Sequence, residues 1–87
     1  MINLYERSDI IHIMKMNHLT LIDSETAQLK FSGQVKGKNY RIKILIVEDS
    51  PQIFIKRNGE VMYSETIKSV DDLKIFLEER LYQYLEL

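Results

Sequence analysis

The chain has 87 residues, so we expect residues 1–87 to form a single small domain. It contains no cysteine, which excludes disulfide bonds and thiolate zinc sites and leaves its stability to apolar packing. Its formal net charge is −1, so no overall positive field draws the chain to nucleic acid or to a membrane.

The N-terminal third has the least regular pattern. Apolar residues between Ile10 and Met16 point all round a helical wheel, so the conformation of residues 1–17 stays open, with a short helix capped by Ser8-Asp9 as one alternative. The segment HLTLID, which ends at Asp23, is typical of a strand. Residues 23–26, Asp-Ser-Glu-Thr, then predict a turn into Gln28.

The middle of the chain alternates between apolar and polar residues, which is the pattern of half-buried strands. QLKFSGQV, from Gln28 to Val35, leads through the turn residues Lys36 to Asn39 into YRIKILIV, from Tyr40 to Val47. The second half of that strand is apolar on both faces, which favours a central place in the sheet.

Two further strands follow the only proline, Pro51, which together with Glu48 and Asp49 indicates a turn. QIFIKR and EVMYSET flank Asn58-Gly59. This dipeptide favours a type I′ hairpin turn, because both of its residues accept a positive φ.

The C-terminal segment has helical spacing. Ser69 can cap the first backbone N–H groups, and Asp71 and Asp72 suit the positive end of the helix dipole. The apolar side chains form one stripe: Leu73, Phe76, Leu77, Leu81, Tyr84 and Leu85. The sequence therefore predicts an α+β fold, a four- or five-stranded antiparallel β-meander with a C-terminal α-helix packed on one face, and with a short N-terminal helix as an option.

The sequence offers little for catalysis, for a metal or for a cofactor. His12 and His18 are six residues apart, with no His/Glu cluster at ligand spacing around them. No Gly-x-Ser-x-Gly, Gly-x-Gly-x-x-Gly or Walker motif is present. The pairs Asp71-Asp72 and Glu78-Glu79 diverge by about 100° on a helix, so neither pair converges on one proton. We therefore expect a non-catalytic protein with no metal and no cofactor.

One candidate binding surface is the sheet face opposite the helix. Basic residues share one parity of the predicted strands there, and an aromatic side chain among them can stack on a nucleic-acid base. The residues of this nucleic-acid-binding alternative are Lys30, Lys36, Lys38, Arg41, Lys43 and Phe54. The same pattern also fits the solvated side of a sheet, with Glu60 or Glu65 neutralising the basic side chains.

A second candidate surface lies on the C-terminal helix. Ile75 and Tyr82 are seven residues apart and project away from the apolar stripe, with Glu78 and Glu79 beside them. An apolar pair ringed by acidic residues suits a protein partner. The same pair could instead pack against the N-terminal segment or against a second copy of the chain. Arg80 falls inside the apolar stripe and must reach outward to solvent or to an acid.

These patterns favour a small non-catalytic binding or regulatory protein that acts through protein–protein contacts, with nucleic acid as the alternative partner and a homodimer as a further option. The composition is rich in Ile, Lys and Asn, with a single alanine, which resembles chains encoded by AT-rich bacterial or phage DNA. A phage- or mobile-element-encoded inhibitor fits that composition. We expect a cytoplasmic location without membrane contact, because no secretory pattern and no apolar run near the roughly 20 residues of a membrane span is present.

Overall fold

The computed structural model describes residues 4–46 and 50–85. The elements in chain order are α1 (Leu4–Met16), β1 (Thr20–Glu25), β2 (Gln28–Val35), β3 (Lys38–Leu45), β4 (Gln52–Arg57), β5 (Glu60–Thr66), α2 (Val70–Glu79) and α3 (Leu81–Leu85). The strands form one antiparallel sheet in the order β1-β2-β3-β4-β5. The predicted α+β fold is confirmed, with five strands and with β3 at the centre. Val47 and the predicted turn residues Glu48 and Asp49 lie outside the described residues.

The strands separate their side chains by parity, as predicted. On the inner face of the sheet these side chains are buried: Leu29, Phe31, Val35, Tyr40, Ile42, Ile44, Ile53 and Ile55. Apolar residues of all three helices complete the same core. Each such side chain contributes about 1.5–3 kcal/mol when it leaves water, so the core holds the helices on this face. Arg41 and Lys43 alternate with these residues along β3 and point to the opposite, outer face.

Two tight hairpins set the register of the sheet. Lys36 and Gly37 have φ angles of 51° and 79°, and Asn58 and Gly59 have φ angles of 50° and 88°. Positive φ at both central residues is the signature of a type I′ turn, whose twist matches that of the flanking strands. The hairpin predicted at Asn58-Gly59 is therefore confirmed, and the β2–β3 turn is of the same kind.

The turn between β1 and β2 lies later than the sequence predicted. Asp23 pairs with Lys30 and Glu25 pairs with Gln28, so the turn falls on Thr26-Ala27 instead of residues 23–26. A β-bulge shifts the register between Leu21 and Asp23 and lets the strand continue to Glu25. The guanidinium of Arg7 also donates hydrogen bonds to the carbonyl oxygens of Glu25 and Thr26, at 3.0 and 2.7 Å, which fixes the turn against α1.

The N-terminal third, whose conformation the sequence leaves undecided, contains helix α1. This helix begins before Ser8, so Ser8 and Asp9 lie within the helix and do not cap it. Two residues after the helix ends at Met16, His18 adopts a left-handed conformation (φ 65°), and the chain then enters β1. Gly33 of β2 lies directly against this connection, because a Cβ atom at Gly33 would collide with the carbonyl oxygen of His18.

The C-terminal helix begins where predicted but is interrupted. The backbone N–H of Asp72 donates to the Ser69 hydroxyl at 3.1 Å, which confirms the N-cap. At Arg80 the backbone leaves helical geometry (φ −124°, ψ −18°) and divides the predicted helix into α2 and α3. The break leaves Arg80 exposed, with its guanidinium 5.3 Å from the Phe76 ring centre, while Leu81 stays buried.

Candidate functional site

The outer face of the sheet is not covered by α1, α2 or α3, which all contribute to the core on the inner face. Its side chains lie in rows across neighbouring strands. One row is Asp23, Lys30, Lys43, Phe54 and Ser64. The next row is Thr20, Ser32, Arg41, Lys56 and Val61. Side chains that face each other within a row have Cβ atoms about 4.5–5.5 Å apart.

Four cations and one aromatic ring occupy the centre of these rows. The basic sheet face consists of Lys30, Arg41, Lys43, Phe54 and Lys56. Lys30 stands directly opposite Lys43, and Arg41 stands directly opposite Lys56. Like charges directly opposite each other on a sheet repel and lower its stability.

Carboxylates near the basic sheet face do not neutralise it in the way that the solvated alternative expected. Glu60 pairs with Arg57 and Glu65 pairs with Ile53, so both have the parity of the inner face. By register, the acids of the outer face among the described residues are Asp23 and Glu25, on the edge strand β1. In the described part of the chain no carboxylate lies within ion-pair distance of any of the four cations.

Phe54 lies half-buried among these cations. The ammonium nitrogen of Lys43 is 5.0 Å from the centre of its ring, which is a cation–π contact. A shallow depression of about 130 Å³ surrounds the ring and includes the side chain of Ile22. Ile22 is 48% exposed and sits at the bulge of β1. The site is therefore an apolar floor with a cationic rim.

The structure brings together four of the six residues predicted for this surface: Lys30, Arg41, Lys43 and Phe54. Lys36 lies in the β2–β3 turn, and Lys38 has the same parity as the buried Tyr40, so neither belongs to the basic sheet face. Lys56 was not among the predicted site residues, although it shares the parity of Phe54 within β4. Ile22 could not be predicted, since no sequence signal located the bulge.

The predicted helix surface, made of Ile75, Glu78, Glu79 and Tyr82, is exposed. Ile75 is 51% and Tyr82 is 47% exposed, so the alternative that this pair packs against the N-terminal segment is wrong. Helix α1 instead packs beside α2, where Lys74 reaches Asp9 at 3.4 Å. The break at Arg80 also places Ile75 on α2 and Tyr82 on α3, so the two residues do not share one continuous helix face.

The histidines do not form a metal site in the described part of the chain. Both are exposed, His12 on α1 and His18 in the connection to β1. Among residues 4–46 and 50–85 no three His, Cys, Asp or Glu residues are grouped closely enough to hold a metal ion. In the same residues no helix is both long enough and apolar enough to cross a membrane.

Comparisons with protein-family models, with curated proteins and with solved structures gave no significant match to this chain. Function must therefore be inferred from the surfaces themselves.

Proposed function

We propose that the chain is a non-catalytic binding protein whose recognition surface is the basic sheet face and whose partner is polyanionic. The observation that carries this proposal is that two pairs of cations stand directly opposite each other, Lys30 with Lys43 and Arg41 with Lys56. Both pairs lie on the sheet face that the helices do not cover. The two opposed pairs repel and so do not favour folding. A threonine at the same positions would favour the strand and would remove the repulsion.

An anionic partner reverses the sign of these interactions. A phosphate, sulfate or carboxylate placed between Arg41 and Lys56 attracts both cations and screens them from each other. The chain as a whole carries a net charge of −1, so this attraction is local and acts over about one Debye length, roughly 8–10 Å at physiological salt. The basic sheet face is therefore suited to contact with a partner, not to long-range capture.

Retention on an immobilised polyanion such as heparin tests this proposal. We expect the native chain to be retained at low salt and released as salt rises, because binding displaces counterions. The variant Arg41→Glu/Lys56→Glu should flow through. The matched control is Lys15→Glu/Lys68→Glu, which has the same net charge but alters exposed residues on α1 and before α2.

The control should be retained like the native chain. Equal retention of both variants, or loss of retention in both, would show that the basic sheet face is not the recognition surface. Circular dichroism of each variant checks that the fold is preserved.

The helix surface supports a second candidate function, contact with a protein partner. The supporting observation is that Ile75 and Tyr82 are about half exposed, with exposed Glu78 and Glu79 beside them. Two such surfaces would bring their acids together, so a partner with a basic rim fits better than a second copy of the chain. A protein captured by the native chain should be lost with Ile75→Ser/Tyr82→Ser and kept with Val61→Ser, an equally apolar exposed control.

A further inference from the structure

We propose, on the basis of the proposed polyanion binding, that the basic sheet face binds single-stranded nucleic acid. Phe54 is the platform on which one unpaired base stacks. Its cationic neighbours contact the phosphates on either side of that base.

The position of Phe54 distinguishes a nucleic acid from other polyanions. Phe54 lies in the same row as Lys43 and directly opposite it, and it is two residues from Lys56 on the same strand. A polyphosphate or an acidic peptide would gain nothing from a partly exposed phenyl ring among the cations. An unpaired base gains from such a ring, because every base has a π-face that can stack on it.

Lys43 covers the ring in the free protein and would have to move on binding. Its ammonium group lies 5.0 Å from the ring centre, and a cation–π contact at such an open site is weaker than the stacking of a base. Lysine carries its charge on a flexible four-carbon stem, so the ammonium can swing from the ring to a phosphate without any backbone movement. The base therefore replaces the ammonium on Phe54, and the ammonium gains a phosphate.

The position of Phe54 near the centre of the sheet favours single strands over duplexes. The bases of a duplex are stacked on one another and cannot lie on a ring at the centre of a sheet. The three strands that carry the basic sheet face, β2, β3 and β4, together span only about 10 Å from the first to the third axis. That width accommodates a few nucleotides, with the base near Phe54 in contact with the apolar side chain of Ile22.

A single-tryptophan variant tests the stacking directly. The chain contains no tryptophan, so Phe54→Trp introduces one fluorophore at the proposed platform. Titration with oligothymidylate or oligouridylate of about 12 nucleotides, a length in the range of known single-strand sites, should quench its fluorescence. The matched control, Tyr82→Trp, places the fluorophore on the half-exposed helix surface and should not be quenched.

The choice of polyanion separates this inference from the proposed function. Polyglutamate and polyphosphate of similar length should bind more weakly than the oligonucleotides and should not quench Phe54→Trp fluorescence, because neither polymer has a base that can stack on the ring. Strong binding of these polymers without selective binding of the oligonucleotides would overturn the inference and leave polyanion binding intact. If none of the polymers binds, both proposals fail. A difference between the thymidylate and uridylate titrations would tell whether DNA or RNA is preferred.

Two further variants separate stacking from folding effects. Phe54→Leu keeps an apolar side chain and should weaken oligonucleotide binding about 5- to 150-fold, the range measured for the loss of one stacked base. Phe54→Tyr keeps the ring and should bind like the native chain. Equal affinities for Phe54→Leu and Phe54→Tyr, with both variants folded, would contradict the inference.

Discussion

The two faces of the same sheet differ in what determines their residues. Along β3, Ile42 and Ile44 point inward and are buried, whereas Arg41 and Lys43 point outward between them. Both sets share one backbone and one hydrogen-bond ladder. Burial explains why the inner side chains are apolar, because each of them contributes about 1.5–3 kcal/mol to the stability of the fold when it leaves water. No comparable term selects cations outside, where repulsion between opposed charges works against the fold.

The comparison shows where a functional explanation is needed. The inner face is fully explained by burial, so its composition carries no information on a partner. The outer face has a composition that stability alone would not produce. A natural protein often gives up some stability at the residues that bind its partner. The basic sheet face is therefore the part of the molecule where we expect mutations to separate binding from folding.

The largest expected difference in the free energy of unfolding is between substitutions at two neighbouring residues that lie on opposite faces of β3. Ile42→Ala should lower the free energy of unfolding by about 2–5 kcal/mol, because it removes buried methyl groups and leaves a cavity. Arg41→Ala, one residue earlier, should change it by less than about 0.5 kcal/mol. Urea unfolding followed by circular dichroism measures both values. Similar losses in the two variants would contradict the assignment of faces.

A smaller loss of stability is expected from a substitution at Gly33, where β2 contacts the connection that follows α1. A methyl group at Gly33 would collide with the backbone carbonyl of His18, which cannot move aside as a flexible side chain can. Gly33→Ala should therefore cost about 1–3 kcal/mol, as overpacking does elsewhere.

The control for this prediction is Ser32→Ala, the adjacent residue on the outer face, which should change stability by less than about 0.5 kcal/mol. A Gly33→Ala variant as stable as the native chain would show that the connection lies further from β2 than the structure places it.

Much of this fold could be predicted from local sequence, and the reasons are specific. The strict alternation in β2 and β3 set their faces, and Asn58-Gly59 set a hairpin, because positive φ is cheap only for a few residues. Ser69 was recognised as an N-cap from its hydroxyl and the acids that follow it. In each case the signal lies within a few neighbouring residues.

Most of the parts that were wrong or missed depend on contacts between distant residues, and the assignment of Lys38 is the exception. The shifted β1–β2 turn is held by Arg7 of α1, which lies 17 or more residues away in the chain from the groups it contacts. The helix break at Arg80 could not be predicted, because no glycine or proline lies near this residue in the sequence. The exclusion of Lys38 from the site follows from its parity, which a list of basic residues does not take into account. The role of Lys56 required the register of β3 against β4.

The most direct test of the central claim is one variant measured in two ways. Lys56→Thr removes the repulsion with Arg41, and Lys56 has no ion-pair partner to lose among the described residues. We predict that its free energy of unfolding rises by about 0.2–1 kcal/mol, while its affinity for single-stranded nucleic acid falls and the slope of log K against log salt becomes less steep by about 0.7. Lys68→Thr, the control, should change neither quantity. A Lys56→Thr protein that is less stable, or that binds as tightly as the native chain, would show that this cation serves the fold and not a partner.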